Sequence, residues 1–453
     1  MSRPKIPITT NPTLLLLLCF LVGEQAGKYG GISNPSHPPC PCSQPPQPPA
    51  PAPSPADLQP SDFPNLKQYE AYLVIQRFKK TITCDPNNVT SSWTGPRPCS
   101  YRGFFCGTPP VLPAAPTIAS VDFNGFRLCA PTLSGFLDRL PDLALFHANS
   151  NNFSSTVPDL SSLPFLYELD LSNNRLSGDF PAAVLPLSQL TFLDLRFNLF
   201  SGAVPPSAFF LPVGVLFLNN NLFQQSLPAS IGSSPVAFLT LANNAFTGPI
   251  PRSIGNASGT LVEVLFLNNR LSGCLPFEVG LLRASTVFDA GFNQITGPIP
   301  CSFACLFKIE QLNLAGNLLY GTVPDVLCRL AQEGNLANLS LSGNYFTWLG
   351  HSCWGLIKSG VLDVRQNCIL GVPEQRPAAE CAKFLLHCKF CPILTHIPCK
   401  LPYWTWHGIK AVAGENATAA SHPSPHSTTT ATTNRSLAPS YRTYLTVDRP
   451  KGS

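Results

Sequence analysis

The hydrophobic positions of this chain recur about every 24 residues. Each copy of the pattern reads L-x-x-L-x-L-x-x-N-x-L-x-G-x-x-P. Aligned on the asparagine, ten copies follow one another at intervals of 23 to 27 residues. The aligned asparagines are Asn151, Asn174, Asn198, Asn221, Asn244, Asn269, Asn293, Asn317, Asn344 and Asn367. An earlier, degenerate copy has Phe126 in place of the asparagine.

One copy, residues 166–181, shows which elements the pattern predicts. Leu169 and Leu171 are expected to point inward, while the polar residues between them alternate outward, as in a short half-buried strand. Asn174 is expected to end the strand and to hydrogen-bond backbone groups of adjacent coils. A single coil cannot bury its apolar edge, so the coils must stack. The pattern is the extracellular plant form of the leucine-rich repeat, and it predicts an α/β solenoid, a curved right-handed superhelix of about 10 to 11 coils.

Composition divides the chain into six predicted segments. A basic start followed by the apolar run Leu14 to Val22 indicates a secretory signal peptide. The segment after it contains 13 prolines and is expected to be extended, either as a wall tether or as an unstructured spacer. The predicted segments are a signal peptide (1–26), a Pro-rich disordered leader (27–64), an N-terminal cap (65–117), the repeats (118–371), a Cys-rich C-terminal cap (372–400) and a Ser/Thr-rich disordered tail (401–453).

The N-terminal cap is expected to begin with a helix over residues 65–83, where apolar residues recur near helical spacing. A tryptophan and two cysteines follow, in the order found in the caps of extracellular plant repeat proteins. Cys99 and Cys106 are predicted to form a disulfide, and Cys84 with Cys129 is a second candidate pair.

Further cysteines lie in the returning loops and in the C-terminal cap. Cys305 and Cys328 occupy nearly the same place in consecutive coils, so a disulfide between them is predicted, with free buried thiols as the alternative. Cysteines of the C-terminal cap could pair in several ways. The spacing of Cys388 and Cys391 resembles a zinc or redox motif, but in a secreted Cys-rich cap we expect disulfides and neither metal nor cofactor.

Charge and cysteine content indicate an extracellular protein. The formal net charge is +5, from 29 basic and 24 acidic residues, and no basic run suggests a nucleic-acid footprint. No second apolar run long enough for a membrane span is present, and the signal peptide would remove one of the 17 cysteines, leaving an even number. Six glycosylation sequons begin at Asn88, Asn152, Asn256, Asn338, Asn416 and Asn434.

The outward positions of the strands define a candidate binding site on the concave face of the solenoid. Six and four residues before each aligned asparagine, neighbouring coils place acidic residues beside aromatic ones, which predicts an exposed aromatic column next to negative charge. The candidate ligand-binding residues are Glu168, Asp170, Phe192, Asp194, Arg196, Phe217, Phe238 and Asp289. The alternative is that the acidic residues only solvate the face.

No catalytic residue is assigned. Asp170 and Asp194 would lie roughly 5 Å apart on adjacent coils, a separation that glycosidases use. A shallow sheet face, however, offers no cleft that excludes water. Neither a nucleophile with a partnered base nor a metal triad appears in the sequence.

Several segments resemble one known family closely. CSYRGFFC (99–106), YELDLSNNRLSGDFP (167–181), LNNRLSGCLPFEVGLL (267–282) and LDVRQNCILGVPEQRPAAEC (362–381) are similar to the repeat domain of plant leucine-rich repeat extensin-like proteins. The resemblance covers about residues 65–399. The family's C-terminal array of serine followed by four prolines does not occur in this chain, which therefore resembles a branch without the extensin tail.

The resemblance implies a secreted protein of the plant apoplast and cell wall that binds a small, basic, Cys-rich signalling peptide. It implies a role in cell-wall integrity or growth control, with a peptide pocket similar in kind to the acidic and aromatic positions Glu168, Asp170, Phe192, Asp194 and Phe217.

Two other functions are weighed beside this one: a structural wall protein that binds pectin, and an inhibitor of a polygalacturonase, since such inhibitors share the repeat type. Pectin is polyanionic, yet only Arg196 and Arg365 stand out two residues before the aligned asparagines. A homodimer is left open.

Overall fold

The computed structural model describes residues 58–110, 115–333, 336–388, 390–392 and 396–400. The predicted signal peptide, residues 27–57 of the leader and the tail from 401 to 453 lie outside the described residues, as do the sequons at Asn416 and Asn434. Those assignments stay predictions from the sequence.

The chain begins its described part with the predicted cap helix, α1 (Leu66–Thr81). Asn65 caps it, because its side-chain oxygen accepts a hydrogen bond from the Gln68 N–H at 3.0 Å. The buried face of α1 closes the apolar end of the solenoid, where the Phe78 ring stacks on that of Phe136 with centroids 3.9 Å apart. Trp93 is fully buried beside them and donates from its indole N–H to the Arg102 carbonyl at 3.0 Å.

The first sheet has twelve strands within the described residues and follows the repeats in order. The first strand, β1 (Phe104–Gly107), is antiparallel to β2 (Thr117–Asp122), and every later pair is parallel and in register, one coil to the next. Its strands are β1 (Phe104–Gly107), β2 (Thr117–Asp122), β4 (Leu145–His147), β6 (Glu168–Asp170), β8 (Phe192–Asp194), β10 (Val215–Phe217), β12 (Phe238–Thr240), β14 (Glu263–Leu265), β16 (Val287–Asp289), β18 (Gln311–Asn313), β20 (Asn338–Ser340) and β22 (Leu362–Asp363).

The second sheet has ten strands in the same part of the chain, one after each aligned position from Phe126 to Asn344. They are β3 (Cys129–Ala130), β5 (Asn152–Ser155), β7 (Arg175–Gly178), β9 (Leu199–Gly202), β11 (Leu222–Ser226), β13 (Ala245–Gly248), β15 (Arg270–Cys274), β17 (Gln294–Gly297), β19 (Leu318–Val323) and β21 (Tyr345–Leu349). Short 3-10 helices such as Phe277–Leu281 form the returning side, and three α-helices lie near the C-terminal end: α2 (Asp325–Glu333), α3 (Cys353–Lys358) and α4 (Ala378–His387).

The core runs through all coils between the two sheets. Leu169 and Leu171 are fully buried, as the repeat pattern predicts. The Asn174 side chain donates to the Ala148 carbonyl at 2.8 Å and accepts from the Phe153 N–H at 3.0 Å, so it satisfies buried backbone groups of the preceding coil. The same pattern recurs down the array, and the predicted leucine-rich repeat solenoid is confirmed.

Six disulfides lie within the described residues: Cys84–Cys129, Cys99–Cys106, Cys274–Cys391, Cys305–Cys399, Cys328–Cys353 and Cys368–Cys381. Both pairs proposed for the N-terminal cap are therefore present. Cys391 is bonded to Cys274 and is not available as a metal ligand.

The predicted bridge between Cys305 and Cys328 is wrong. Cys328 lies on α2, which replaces the usual 3-10 helix, and there it bonds to Cys353 at the start of α3 in the following coil. Cys305 ends the 3-10 helix Cys301–Cys305 and pairs with Cys399, because the chain beyond α4 comes back to the returning side of earlier coils. A similar place in the repeat does not fix the direction of a side chain.

Candidate functional site

The concave face is the solvent side of the first sheet, and two rows of side chains cross it. Pairing in register puts Glu168 beside Phe192 in one row and Asp170 beside Asp194 in the other. The next two strands continue the rows with Val215 and Phe238 and with Phe217 and Thr240. The structure thus brings together the predicted residues of coils two to five, and Asp289 lies three strands beyond Phe217.

The first acidic region comprises Glu168, Asp170 and Asp194 with His147 and Arg196. Its histidine and its arginine each form an ion pair with one of its carboxylates. The His147 Nε2 atom lies 2.9 Å from Glu168 Oε2. Burial opposes the charged imidazole, but the hydrogen bond to Glu168 and the nearby carboxylates together raise the pKa of His147. Asp170 accepts hydrogen bonds from the backbone N–H and the hydroxyl of Ser172.

Asp194 is fully buried, so it does not offer the surface carboxylate that the sequence pattern predicts. Arg196 lies over Asp194, with its Nε atom 2.9 Å from Asp194 Oδ2. The backbone N–H of Arg196 donates a hydrogen bond to Asp194 Oδ1 at 3.0 Å. Burial and the neighbouring Asp170 raise the pKa of Asp194 to about 7, although Arg196 acts in the opposite direction. Asp194 therefore positions Arg196 and is not itself a contact for a partner.

The predicted exposed aromatic column is wrong. Phe217 is only 8% exposed and lies beneath Arg196, whose guanidinium carbon is 5.0 Å from the ring centroid. Phe192 and Phe238 are half-buried in the other row, with Val215 between them, because adjacent outward positions of a strand belong to different rows. Within the two rows, the accessible aromatic surface consists of these two rings, separated by one coil.

A second acidic region, Glu263, Asp289 and Glu310, was not singled out from the sequence apart from Asp289. Glu263 is 8% exposed, and its Oε1 has no hydrogen-bond partner in the described part of the chain. Burial, and then the charge of Glu310, raise the pKa of Glu263. Burial also raises the pKa of Asp289, partly offset by the Gly291 N–H, which donates to Oδ1 at 2.9 Å. The sequence signal that could have identified Glu263 is a single carboxylate between Phe238 and Val287, in the row of residues six positions before each aligned asparagine.

The described residues hold no group of three or more metal-ligating side chains. In the same ranges, no helix has the length and apolar character needed to span the bilayer. Four sequons, at Asn88, Asn152, Asn256 and Asn338, are solvent-exposed, and their glycosylation stays a prediction.

Comparison with known proteins identifies the family. Residues 72–107 match the leucine rich repeat N-terminal domain, and residues 165–187 match the Leucine Rich Repeat. Leucine-rich repeat extensin-like protein 7 of Arabidopsis thaliana is 40% identical over 324 residues, which cover 71% of this chain and 73% of that protein. The chain belongs to the leucine-rich repeat extensin-like family. Six disulfides agree with an extracellular member of this family.

Other leucine-rich repeat extensin-like proteins match over smaller shares. Protein 6 of Arabidopsis thaliana is 42% identical over 51% of this chain and 49% of its own length, and the match to protein 1 covers only 15% of that protein. Among solved structures, the ectodomain of the Arabidopsis receptor kinase GASSHO1/SCHENGEN3 superposes with a TM-score of 0.51 at 21% identity, covering 66% of this chain and 44% of that one. At that identity the likeness shows the fold alone.

Proposed function

We propose that this leucine-rich repeat extensin-like protein is a non-enzymatic binding protein of the plant apoplast that recognises a small, basic, Cys-rich signalling peptide on its concave face. Through that partner it contributes to cell-wall integrity or growth signalling. The family supports an extracellular binding role, and the charge of the concave face supports a cationic partner.

The observation that carries the proposal is a contrast in charge. The whole chain has a formal net charge of +5. The outward positions of the first sheet and the position two residues before each asparagine nevertheless hold seven carboxylates against two arginines and one histidine. Three of the carboxylates are paired with these cations. The four that keep their charge for a partner are Asp122, Asp170, Glu263 and Asp289. Such a face attracts a basic partner and repels an acidic one. Phe192 adds apolar contact area beside Glu168, and Phe238 adds more two strands further along the same row.

The same charge pattern disfavours pectin at this face. Arg196 and Arg365 are the arginines on it, and each lies 2.9 Å from an aspartate of its own coil, Asp194 and Asp363 respectively. A polyanion would therefore have to compete with existing ion pairs. Pectin binding and inhibition of a polygalacturonase are alternative outcomes of the experiment that tests the proposal.

The test is binding of the full secreted chain to a panel of basic Cys-rich plant peptides at low and high salt. The Glu168→Gln/Asp170→Asn double variant should lose affinity about tenfold, and wild-type binding should weaken with salt. Asp159→Asn/Glu278→Gln is the matched control, since it removes the same two charges from the returning side and should bind like the wild type. Wild-type affinity in the double variant, or no binding across the panel, would overturn the proposal. Pectin retention and polygalacturonase inhibition assays then test the alternatives.

A further inference from the structure

We infer that Glu263 is a docking position for one cationic side chain, lysine or arginine, of a protein partner. The inference rests on the proposed function in taking that partner to be a basic peptide. It adds a second point of attachment, separate from the first acidic region.

The geometry around Glu263 is that of a charge enclosed by apolar residues. Glu263 is the first residue of β14, and in its row it lies between Phe238 of β12 and Val287 of β16. Val287 is 6% exposed and Glu263 is 8% exposed, so the carboxylate has lost most of its contact with water. Its Oε1 atom accepts no hydrogen bond within the described residues. A buried carboxylate oxygen left in this state costs about 1–3 kcal/mol or more.

The electrostatic surroundings make the cost larger. The eight ion pairs of the described residues include none with Glu263, Asp289 or Glu310. The charge that acts on Glu263 is that of another carboxylate, Glu310, and together with burial it raises the pKa of Glu263. A cation from outside would relieve the repulsion and supply the missing donor in one contact. A neutral donor would supply only the hydrogen bond.

The position of Glu263 also sets a distance. Four strand spacings separate β6 from β14 along the first sheet, in the order β6, β8, β10, β12, β14. At about 4.8 Å for each spacing, Glu168 and Glu263 are about 19 Å apart along the sheet. A peptide that contacts both regions must present a basic residue about that far from the part that touches Glu168. Phe238 lies on the path between them.

The experiment uses the full secreted chain and hexa-arginine as the probe, with hexa-serine as the uncharged comparison. Affinity is measured by titration calorimetry at low salt for the wild type and for Glu263→Gln, Glu310→Gln and Glu278→Gln. The first substitution keeps the shape of the side chain and removes its charge. Glu278 is the matched control, because it is also a glutamate but lies on the returning side, paired with Arg252.

We expect Glu263→Gln to weaken hexa-arginine binding about tenfold, Glu310→Gln about threefold, and Glu278→Gln less than twofold. Should Glu263→Gln fail to fold, the half-exposed Glu310 provides the same test. Equal binding by the wild type, Glu263→Gln and Glu310→Gln would overturn the site, as would no binding of hexa-arginine.

Failure here can be told apart from failure of the proposed function. If a panel peptide binds and loses affinity in Glu168→Gln/Asp170→Asn but not in Glu263→Gln, the proposed function stands and this site falls. If hexa-arginine binding depends on Glu263 while no panel peptide binds, the site stands and the peptide function falls.

Discussion

The two acidic regions of the concave face differ in how their charges are balanced. In the first, His147 lies 2.9 Å from Glu168, and Arg196 lies 2.9 Å from the buried Asp194. In the second, Glu263 is 8% exposed, has no ion-pair partner within the described residues, and is repelled by another carboxylate, Glu310, which lies two strands away. The number of carboxylates on a surface therefore does not measure the charge that remains for a partner.

This difference separates stabilisation from recognition. The pairs of the first region hold side chains in place and leave a half-exposed edge of Glu168 and Asp170 for contact. The unpaired carboxylate of the second region destabilises the free protein, and binding of a cation would remove that destabilisation. Functional sites commonly carry such a cost in stability.

The largest expected effect comes from breaking the pair in the first region. Arg196→Met should lower the free energy of unfolding by about 3 kcal/mol at pH 8, because it leaves Asp194 buried and without its cation. Arg365→Met is the matched control: Arg365 stands at the same place in its repeat, but its side chain is 62% exposed, and we expect less than about 0.5 kcal/mol. Denaturant unfolding measures both, and equal effects would contradict the contrast.

The second effect is a pH dependence that originates at Asp194. The pKa of this carboxyl rises from 3.8 to about 7 on folding, so the folded state favours the protonated form. The stability that Asp194 contributes in its protonated form is fully present below the unfolded pKa and is lost as pH rises towards 7. Relative to Asp194→Asn, the wild type should lose about 2.5 kcal/mol between pH 5 and pH 8, since the loss extends over about two pH units up to the folded pKa and each unit is worth about 1.4 kcal/mol.

Asp363→Asn is a control in which the stability difference from the wild type should change with pH in the opposite direction. Its hydrogen bond with Arg365 lowers the pKa of Asp363, so that contribution exists above the unfolded pKa and is lost as pH falls. Unfolding curves of the three proteins from pH 2 to pH 8 make the comparison, with the loss at Asp363 expected below about pH 4. A flat difference between the wild type and Asp194→Asn would show that Arg196 keeps Asp194 ionised throughout.

A third prediction concerns the second region alone. Glu263→Met should raise the free energy of unfolding by about 1 kcal/mol at pH 7, because an apolar side chain of similar length removes the unpartnered oxygen and the repulsion from Glu310. Glu168→Met, which breaks the pair with His147, should not stabilise. If both substitutions destabilise equally, Glu263 has a partner that balances its charge.

The smallest effect is expected at His147. His147→Gln should cost about 0.5 kcal/mol at pH 5 and less at pH 8, because this ion pair with Glu168 is partly exposed. The sign follows from the raised pKa of His147: its contribution is complete below the unfolded pKa and is lost as pH rises through the folded one. Thermal unfolding at the two pH values measures it, and a larger cost at pH 8 would contradict the pairing.

The repeat explains why so much of the fold could be predicted from the sequence. Asn174 and its counterparts make the same hydrogen bonds in each coil, and Leu169 and Leu171 are buried wherever the pattern puts them. Local spacing decides these features, since each coil contacts mainly its neighbours. The helix α1 and its N-cap also follow from local residues.

Features that depend on the direction of a side chain were predicted less well. Cys305 and Cys328 occupy similar places in their repeats, yet each bonds to a cysteine elsewhere, because α2 and the returning C-terminal segment reorient them. Asp194 and Phe217 have outward positions in the pattern but are covered by Arg196. Arg196 reaches both because a long side chain extends across neighbouring coils.

The sequence by itself determined the family, the number and stacking of the coils, and the rows that face outward, because periodic burial needs only the identity and spacing of residues. Only the tertiary structure decided which outward carboxylates are neutralised. Whether Glu263 has a partner depends on side chains from three different coils and on how much water remains around it. Those are properties of the assembled surface, and no single repeat contains them.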